Sequence, residues 1–289
     1  MNMGIWAYLR DLPVRCLAAL WFRLDERHRR ITRSNLKFAF GPSLRPRDRE
    51  ELARATFRHF VRFAWEILEL LLASRAYLKA KFVVLGQEHV DAALALGKGM
   101  IAITAHAGNW EYTVFGYGLT RQPVTVVGRE MDHPLGARLA RFLRERGGNR
   151  MVDKQGGMKE ILGHLKQNRV VGIVIDQNTA AEGGLLVDFF GKPARTTPVA
   201  AILARRMGAP VLPVFSRRLP DGRHLMAILP PLPLEKTEDV QEDIRRHLVL
   251  QSLAIEAWVR TAPDQYLWLH RRWKNQFPEI YEKGEGAVG

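Results

Sequence analysis

The run Ala105-His106-Ala107-Gly108-Asn109-Trp110-Glu111 brings a base and a carboxylate together with two small residues, directly after the apolar stretch Met100 to Ala105. If that stretch is a strand, His106 stands at its carboxyl end, the edge of an open α/β sheet at which ligands bind. Ala107 and Gly108 permit a tight turn into a helix whose first amides face the site. Glu111 falls in the first turn of that helix. From there it returns to the imidazole and accepts its far N–H, leaving the other ring nitrogen as a general base toward an alcohol. No serine nucleophile accompanies the pair, so it suits a reaction in which the substrate supplies the hydroxyl. A structural histidine ahead of a helix is the competing reading.

Two further polar residues end apolar runs in the same way: Arg129 after Val124 to Gly128, and Asp176 after Val170 to Ile175. With parallel strands, His106, Arg129 and Asp176 converge on one edge. An arginine there stabilises a tetrahedral oxyanion or holds a phosphate, and an aspartate orients an arginine or a substrate hydroxyl. An Arg–Asp ion pair that merely closes the sheet edge is the alternative.

The elements that must carry these residues are short apolar runs alternating with helical stretches. Runs 82–85, 100–105, 124–127, 170–175 and 211–215 read as buried strands, and 91–96, 109–118, 134–146, 158–167 and 198–207 as helices. This alternation predicts an α/β fold with a mixed, mostly parallel sheet covered by helices. Pro220-Asp221-Gly222 is a turn signal that pairs 211–218 with 225–229 as a hairpin, and 239–260 reads as a long late helix. The expected division is a helical region over 1–80 and an α/β body over 81–289.

Residues 1–80 hold sixteen Lys/Arg against eight Asp/Glu, so more than half of the chain's net charge of +14 lies in its first quarter. Ile5, Leu9, Leu12, Cys16, Leu17, Leu20 and Phe22 form an imperfect helical stripe flanked by aromatics and arginines, as in a helix lying on a membrane or packed on the protein's own core. A second helix is expected from Asp48, capped with Glu51, through Leu71, apolar nearly all round at its end. No uncharged run reaches eighteen residues, so no clean transmembrane segment is expected. The single cysteine, Cys16, excludes an internal disulfide framework and fits a reducing compartment. The excess of positive charge predicts anionic partners.

Three further blocks accompany the histidine-x4-acid element: Arg33 to Phe40, Asp176 with Asp188 to Thr197, and Asp264 to Lys274. Taken together, the four resemble the late acyltransferases of lipid A biosynthesis, within the glycerolipid acyltransferase superfamily. The resemblance covers nearly the whole chain. It implies a glycerol-3-phosphate acyltransferase-like fold with His106 as catalytic base and Glu111 as its partner, and it aligns Arg129, Arg144 and Asp176 with positions lining the family's site. The implied reaction transfers an acyl chain from acyl carrier protein, or acyl-CoA, to a hydroxyl of an anionic acylated glycolipid. Backbone amides near Gly108 and Asn109, or Arg129, would stabilise the oxyanion, and His270, Arg271, Arg272 and Lys274 would hold acceptor phosphates. Members usually carry a membrane-spanning N-terminal helix. Here Arg10, Asp11 and Arg15 stand in its place, so peripheral or monotopic attachment, or a single N-terminal anchor, at the cytoplasmic face of the bacterial inner membrane is expected.

A related acyltransferase acting on lysophospholipid, ornithine lipid or a glycosylated phosphoinositide would share the same pair. Trp268 to Lys274 mixes aromatic and basic residues as a nucleic-acid binder would, yet no accompanying nucleic-acid-binding signature occurs, and Trp268 and Trp273 can equally pack on the body. His28, His59 and His247 lie among arginines and read as solvated. No histidine spacing suggests a metal site, and neither a metal nor a nucleotide cofactor is expected.

Overall fold

In a computed structural model the apolar runs become strands. The structure describes residues 3–128, 138, 141–143, 145–153 and 156–282, without the side chains of residues 3–10 and 181. Seven strands form one sheet in the order β1-β9-β8-β2-β5-β3-β4: β1 (Phe82–Leu85), β2 (Met100–Thr104), β3 (Val124–Gly128), β4 (Arg150–Asp153), β5 (Val170–Val174), β8 (Val211–Arg218) and β9 (His224–Ile228). β8, β2, β5, β3 and β4 pair in parallel, whereas β9 returns antiparallel to β8 and β1 pairs in parallel with β9. The hairpin expected across Pro220 to Gly222 is therefore present. β6 (Leu185–Phe189) and β7 (Lys192–Thr196) form a separate antiparallel hairpin that sequence reading left unassigned.

The period of two along each strand separates two apolar layers. From β2, Ile101 and Ile103 face one layer with Val171, Ile173, Val211 and Phe215, while Met100 and Ala102 face the other with Val124, Val126, Leu212 and Val214. Helices α5 (Gln87–Ala95) and α6 (Trp110–Thr120) cover the second layer. Helices α7 (Met158–Lys166), α8 (Val199–Met207) and α9 (Val240–Thr261) cover the first.

The N-terminal region folds as α1 (Met3–Leu24), α2 (Glu26–Phe40) and α3 (Pro46–Leu72), followed by the short α4 (Arg75–Ala80). Asp25 starts α2 by accepting from the His28 amide. The expected start of α3 at Asp48 is corrected: the helix begins at Pro46, whose missing N–H costs nothing at a first-turn position, and Asp48 pairs with Arg45 instead of capping. Trp21 and Phe22 of α1 pack on Phe57 of α3, and Asp11 pairs with Arg62, so α1 and α3 run antiparallel. Among the described residues, no helix is long and apolar enough to cross a membrane. Most of the expected helix over 134–146 lies outside the described residues.

Candidate active site

β2 and β5 are neighbours in register, with Thr104 opposite Val174, so the two chains leave the same edge side by side. Two residues further on, His106 and Asp176 meet. The His106 ring nitrogen Nδ1 lies 2.7 Å from Asp176 Oδ1, and the His106 amide donates to Asp176 Oδ2 at 2.9 Å. Asp176 is 3% exposed. Burial alone would raise its pKa, but the His106 imidazole and amide, with Arg272 beyond, hold the carboxyl below its ordinary value. Sequence reading gave Asp176 an arginine or a substrate hydroxyl to orient; the structure puts it on the histidine. An acceptor on Nδ1 fixes the tautomer and leaves Nε2 as the basic atom. Glu111 stands one residue into α6, half-buried, next to Trp110, whose ring lies 4.9 Å from that of His106.

The turn after His106 is clamped by the C-terminal block. Ala107 bridges to Tyr266, the Leu267 amide donates to His106 O at 3.1 Å, and the Gly108 amide donates to Gln265 O at 2.8 Å. Gly108 has φ +62°, and a Cβ there would stand 2.4 Å from Ser216 O, so only glycine fits. One expectation changes accordingly. The Gly108 amide is committed within the protein rather than offered to an oxyanion, and the Asn109 side chain is fully buried. Asn109 Oδ1 caps α6 by accepting from the Tyr112 amide, while Nδ2 donates to Glu66 at 2.8 Å.

The group expected to hold phosphates divides. Arg272 is 4% exposed and donates to the carbonyls of Gln177 and Arg195 and to the Thr196 hydroxyl, which makes it an internal strut. His270 accepts from the Asn178 amide; burial, outweighing the opposing pull of Asp176, lowers its pKa to about 4, so it is neutral at pH 7. Arg271 lies over the Tyr281 ring and Lys274 is exposed. Trp268 and Trp273 are buried, as the packing alternative for this segment required. Arg129 and Arg144 lie outside the described residues. Among the described residues, no three His, Cys, Asp or Glu side chains form a group able to hold a metal ion.

Sequence reading missed two buried polar clusters. Asn35 donates from Nδ2 to Trp268 O and His270 O, each at 2.7 Å, and accepts from the Tyr281 hydroxyl, tying α2 to the block that clamps the turn. Glu66 receives Arg218 through Nε and Nη2 as well as Asn109, with His59 and His224 alongside. His59 and His247, read as solvated, are each 3% exposed: His59 takes a place against Arg218, and His247 bonds Gln251. A glutamate inside the apolar end of α3 was the available signal. Beside the histidine, Trp110 packs on Phe63, with ring centroids 4.4 Å apart, and Phe60 lies next to both, forming a half-buried aromatic wall.

The decisive comparison is with the family model for bacterial lipid A biosynthesis acyltransferases, which matches residues 4–275. The chain belongs to this family. Membership makes it an O-acyltransferase. It is 28% identical to a lipid A biosynthesis acyltransferase of Haemophilus influenzae, over 84% of this chain and 75% of the relative. It is 27% identical to the lipid A biosynthesis lauroyltransferase of Escherichia coli K12, over 90% and 83%. A phosphatidylinositol mannoside acyltransferase of Mycobacterium tuberculosis is 31% identical over 57% of this chain and 54% of its own length.

Proposed function

We propose that the chain transfers a fatty acyl group from acyl carrier protein to a hydroxyl of an acylated lipid A precursor, at the cytoplasmic face of the inner membrane, with His106 as general base. The observation that carries this reading is the His106–Asp176 pair at the carboxyl edge of β2 and β5, standing beside an aromatic wall. His106 Nε2 takes the proton of the acceptor hydroxyl as its oxygen attacks the thioester carbonyl. The tetrahedral oxyanion then collapses, the C–S bond breaks, and the imidazolium returns the proton to the leaving thiolate. Glu111 is the second carboxylate of this centre, favouring the imidazolium. The Asn109 and Trp110 amides at the start of α6, and Arg129, are the proposed oxyanion donors, since the Gly108, Tyr112 and Thr113 amides are committed elsewhere. The Trp110–Phe63–Phe60 wall is the proposed start of the acyl-chain path.

Membrane attachment is supported by the outward face of α3. At about 100° per residue, Arg54, Arg58, Trp65, Leu68 and Leu72 share one face, and all five are exposed. Leu12, Leu17, Leu20 and Leu24 are exposed on the neighbouring α1. The basic end of α3, with Arg15 of α1, borders a cavity of about 300 Å³, and Trp65 lies about 10 Å further along the axis. With the apolar end in an acyl layer, these arginines reach headgroup phosphates.

The test uses purified protein in detergent micelles with acyl carrier protein loaded with chains of ten to sixteen carbons, read by mass spectrometry. The acceptors are a tetra-acyl lipid A precursor bearing sugar acids, lysophospholipid and a phosphatidylinositol mannoside. One acyl increment on the precursor, lost in His106→Ala and in Glu111→Ala, is expected. Retained transfer in folded His106→Ala protein overturns the assignment. Transfer only to the mannoside, the second reading supported by the mycobacterial relative, keeps the centre and changes the acceptor.

A further inference from the structure

We infer that Glu66 of α3 is a positioning residue that fixes the turn carrying the catalytic histidine into α6, with Arg218 of β8 as its counter-ion; the inference rests on the acyl-transfer reading above. Four parts of the chain converge around this ion pair. Glu66 comes from α3, Arg218 from the carboxyl end of β8, and Asn109 from the turn three residues after His106. Gln265 joins from the C-terminal block, because its side chain accepts from the Arg218 amide while its carbonyl accepts from Gly108.

Glu66 is 5% exposed and Arg218 is 8% exposed. Glu66 Oε2 accepts from Arg218 Nη2 at 2.7 Å and from Asn109 Nδ2 at 2.8 Å, and Oε1 accepts from Arg218 Nε. Arg218 Nη1 lies 3.0 Å from His59 Nδ1, and His224 Nε2 lies 3.6 Å from Glu66 Oε1. A buried ion pair is weak evidence of a stabilising role, because an apolar pair of similar volume often serves a core as well. What the charge pair supplies is direction. The Asn109 side chain uses Oδ1 to cap α6 and Nδ2 to reach Glu66, so its orientation, and with it the first turn bearing Trp110 and Glu111, is set from below by one carboxylate oxygen.

Neighbouring positions on α3 meet the aromatic wall and the outer surface. Phe63 packs on Trp110, and Trp65 is 61% exposed on the face proposed to meet lipid. One helical turn thus joins the outer surface, the aromatic wall and the catalytic turn.

Removing one partner alone would strand a buried charge and endanger the fold, so the test uses two double variants that both eliminate the ion pair. Glu66→Gln with Arg218→Met keeps a carbonyl oxygen for Asn109, whereas Glu66→Met with Arg218→Met removes it. Both are assayed in micelles with acyl-loaded carrier protein and the lipid A precursor, and both are followed by hydrogen exchange with mass spectrometry over residues 105–115. The Met/Met variant should show a kcat at least about tenfold below that of the Gln/Met variant with KM alike, the size expected of a slightly misplaced catalytic group. Its α6 first-turn amides should exchange at least about tenfold faster, with β2 protection equal in the two. Equal kcat in the two folded variants, or a difference confined to KM, overturns the inference. If the wild-type chain transfers no acyl group, the proposed function falls, and the exchange comparison alone decides the positioning role: equal rates sink it.

Discussion

Asp176 grips His106 at two atoms, Oδ2 on the main-chain amide and Oδ1 on the ring nitrogen, at 2.9 and 2.7 Å. A ring held this way cannot rotate without breaking a bond to a carboxylate that is itself buried and ionised. The arrangement follows from sheet register: β2 and β5 pair without offset, and each runs two residues past its last rung. The same contact explains why Asp176 keeps its charge despite burial.

Asp176→Asn is therefore expected to keep the fold while presenting either a donor or an acceptor to Nδ1, so that the wrong tautomer is populated. A loss of at least about 100-fold in kcat follows, with KM little changed. Steady-state kinetics on protein with an unaltered melting profile checks this, and wild-type kcat in Asp176→Asn would remove the aspartate from the centre.

Asn35 makes three side-chain bonds to the C-terminal block from a position 1% exposed. Asn35→Ala leaves the carbonyls of Trp268 and His270 without these donors, at a cost of about 2–4 kcal/mol. Asn35→Asp should be at least as damaging, since a carboxylate would then face two carbonyl oxygens. Denaturant titration of the three proteins decides, and an Asn35→Asp midpoint equal to wild type would contradict the geometry.

The edge that bears the site was legible because β2 and β5 are rows of apolar and β-branched residues ending abruptly in His106 and Asp176. Which carboxylate lands on Nδ1 was not. Glu111 is five residues away in sequence and Asp176 seventy, and only the pairing of two distant strands brings the second onto Nδ1. Asn35, Glu66 and Arg218 escaped for the same reason, since a buried polar residue is intelligible only with its partner and theirs lie 43 to 246 residues away. The β6–β7 hairpin turns at Phe190 and Gly191, both with positive φ, and phenylalanine there gives none of the usual Asn-Gly signal. In α2 the fully buried Ile31 and Leu36 were hidden among arginines.

Gly108→Ala tests the clamp on the turn. Its Cβ would press on the Ser216 carbonyl and its backbone would be held at φ +62°, so β8 and the turn must part. A loss of about 2–4 kcal/mol is expected, with activity falling by more than stability alone explains. Wild-type kcat in folded Gly108→Ala protein would show that the turn tolerates displacement.

Buried histidines add to the loss of stability in acid. His224 is 0% exposed, stacks on Tyr112 at 3.8 Å, and has its pKa lowered to about 4, chiefly by burial and then by Arg218 and Lys81 against the pull of Glu66. Its ordinary value is 6.5, so the unfolded chain binds a proton that the folded chain refuses between those two values. The contribution is complete above pH 6.5 and is lost as pH falls toward 4, by on the order of 3 kcal/mol for this residue. His59, held well below its ordinary value by burial and Arg218, adds to the same slope. His224→Phe keeps an aromatic ring against Tyr112 and removes the titration, so its unfolding free energy should fall less steeply with acid. Denaturant titrations at pH 7.5, 5.5 and 4.5 measure the slopes, and identical slopes for the variant and the wild type would place the responsible proton elsewhere.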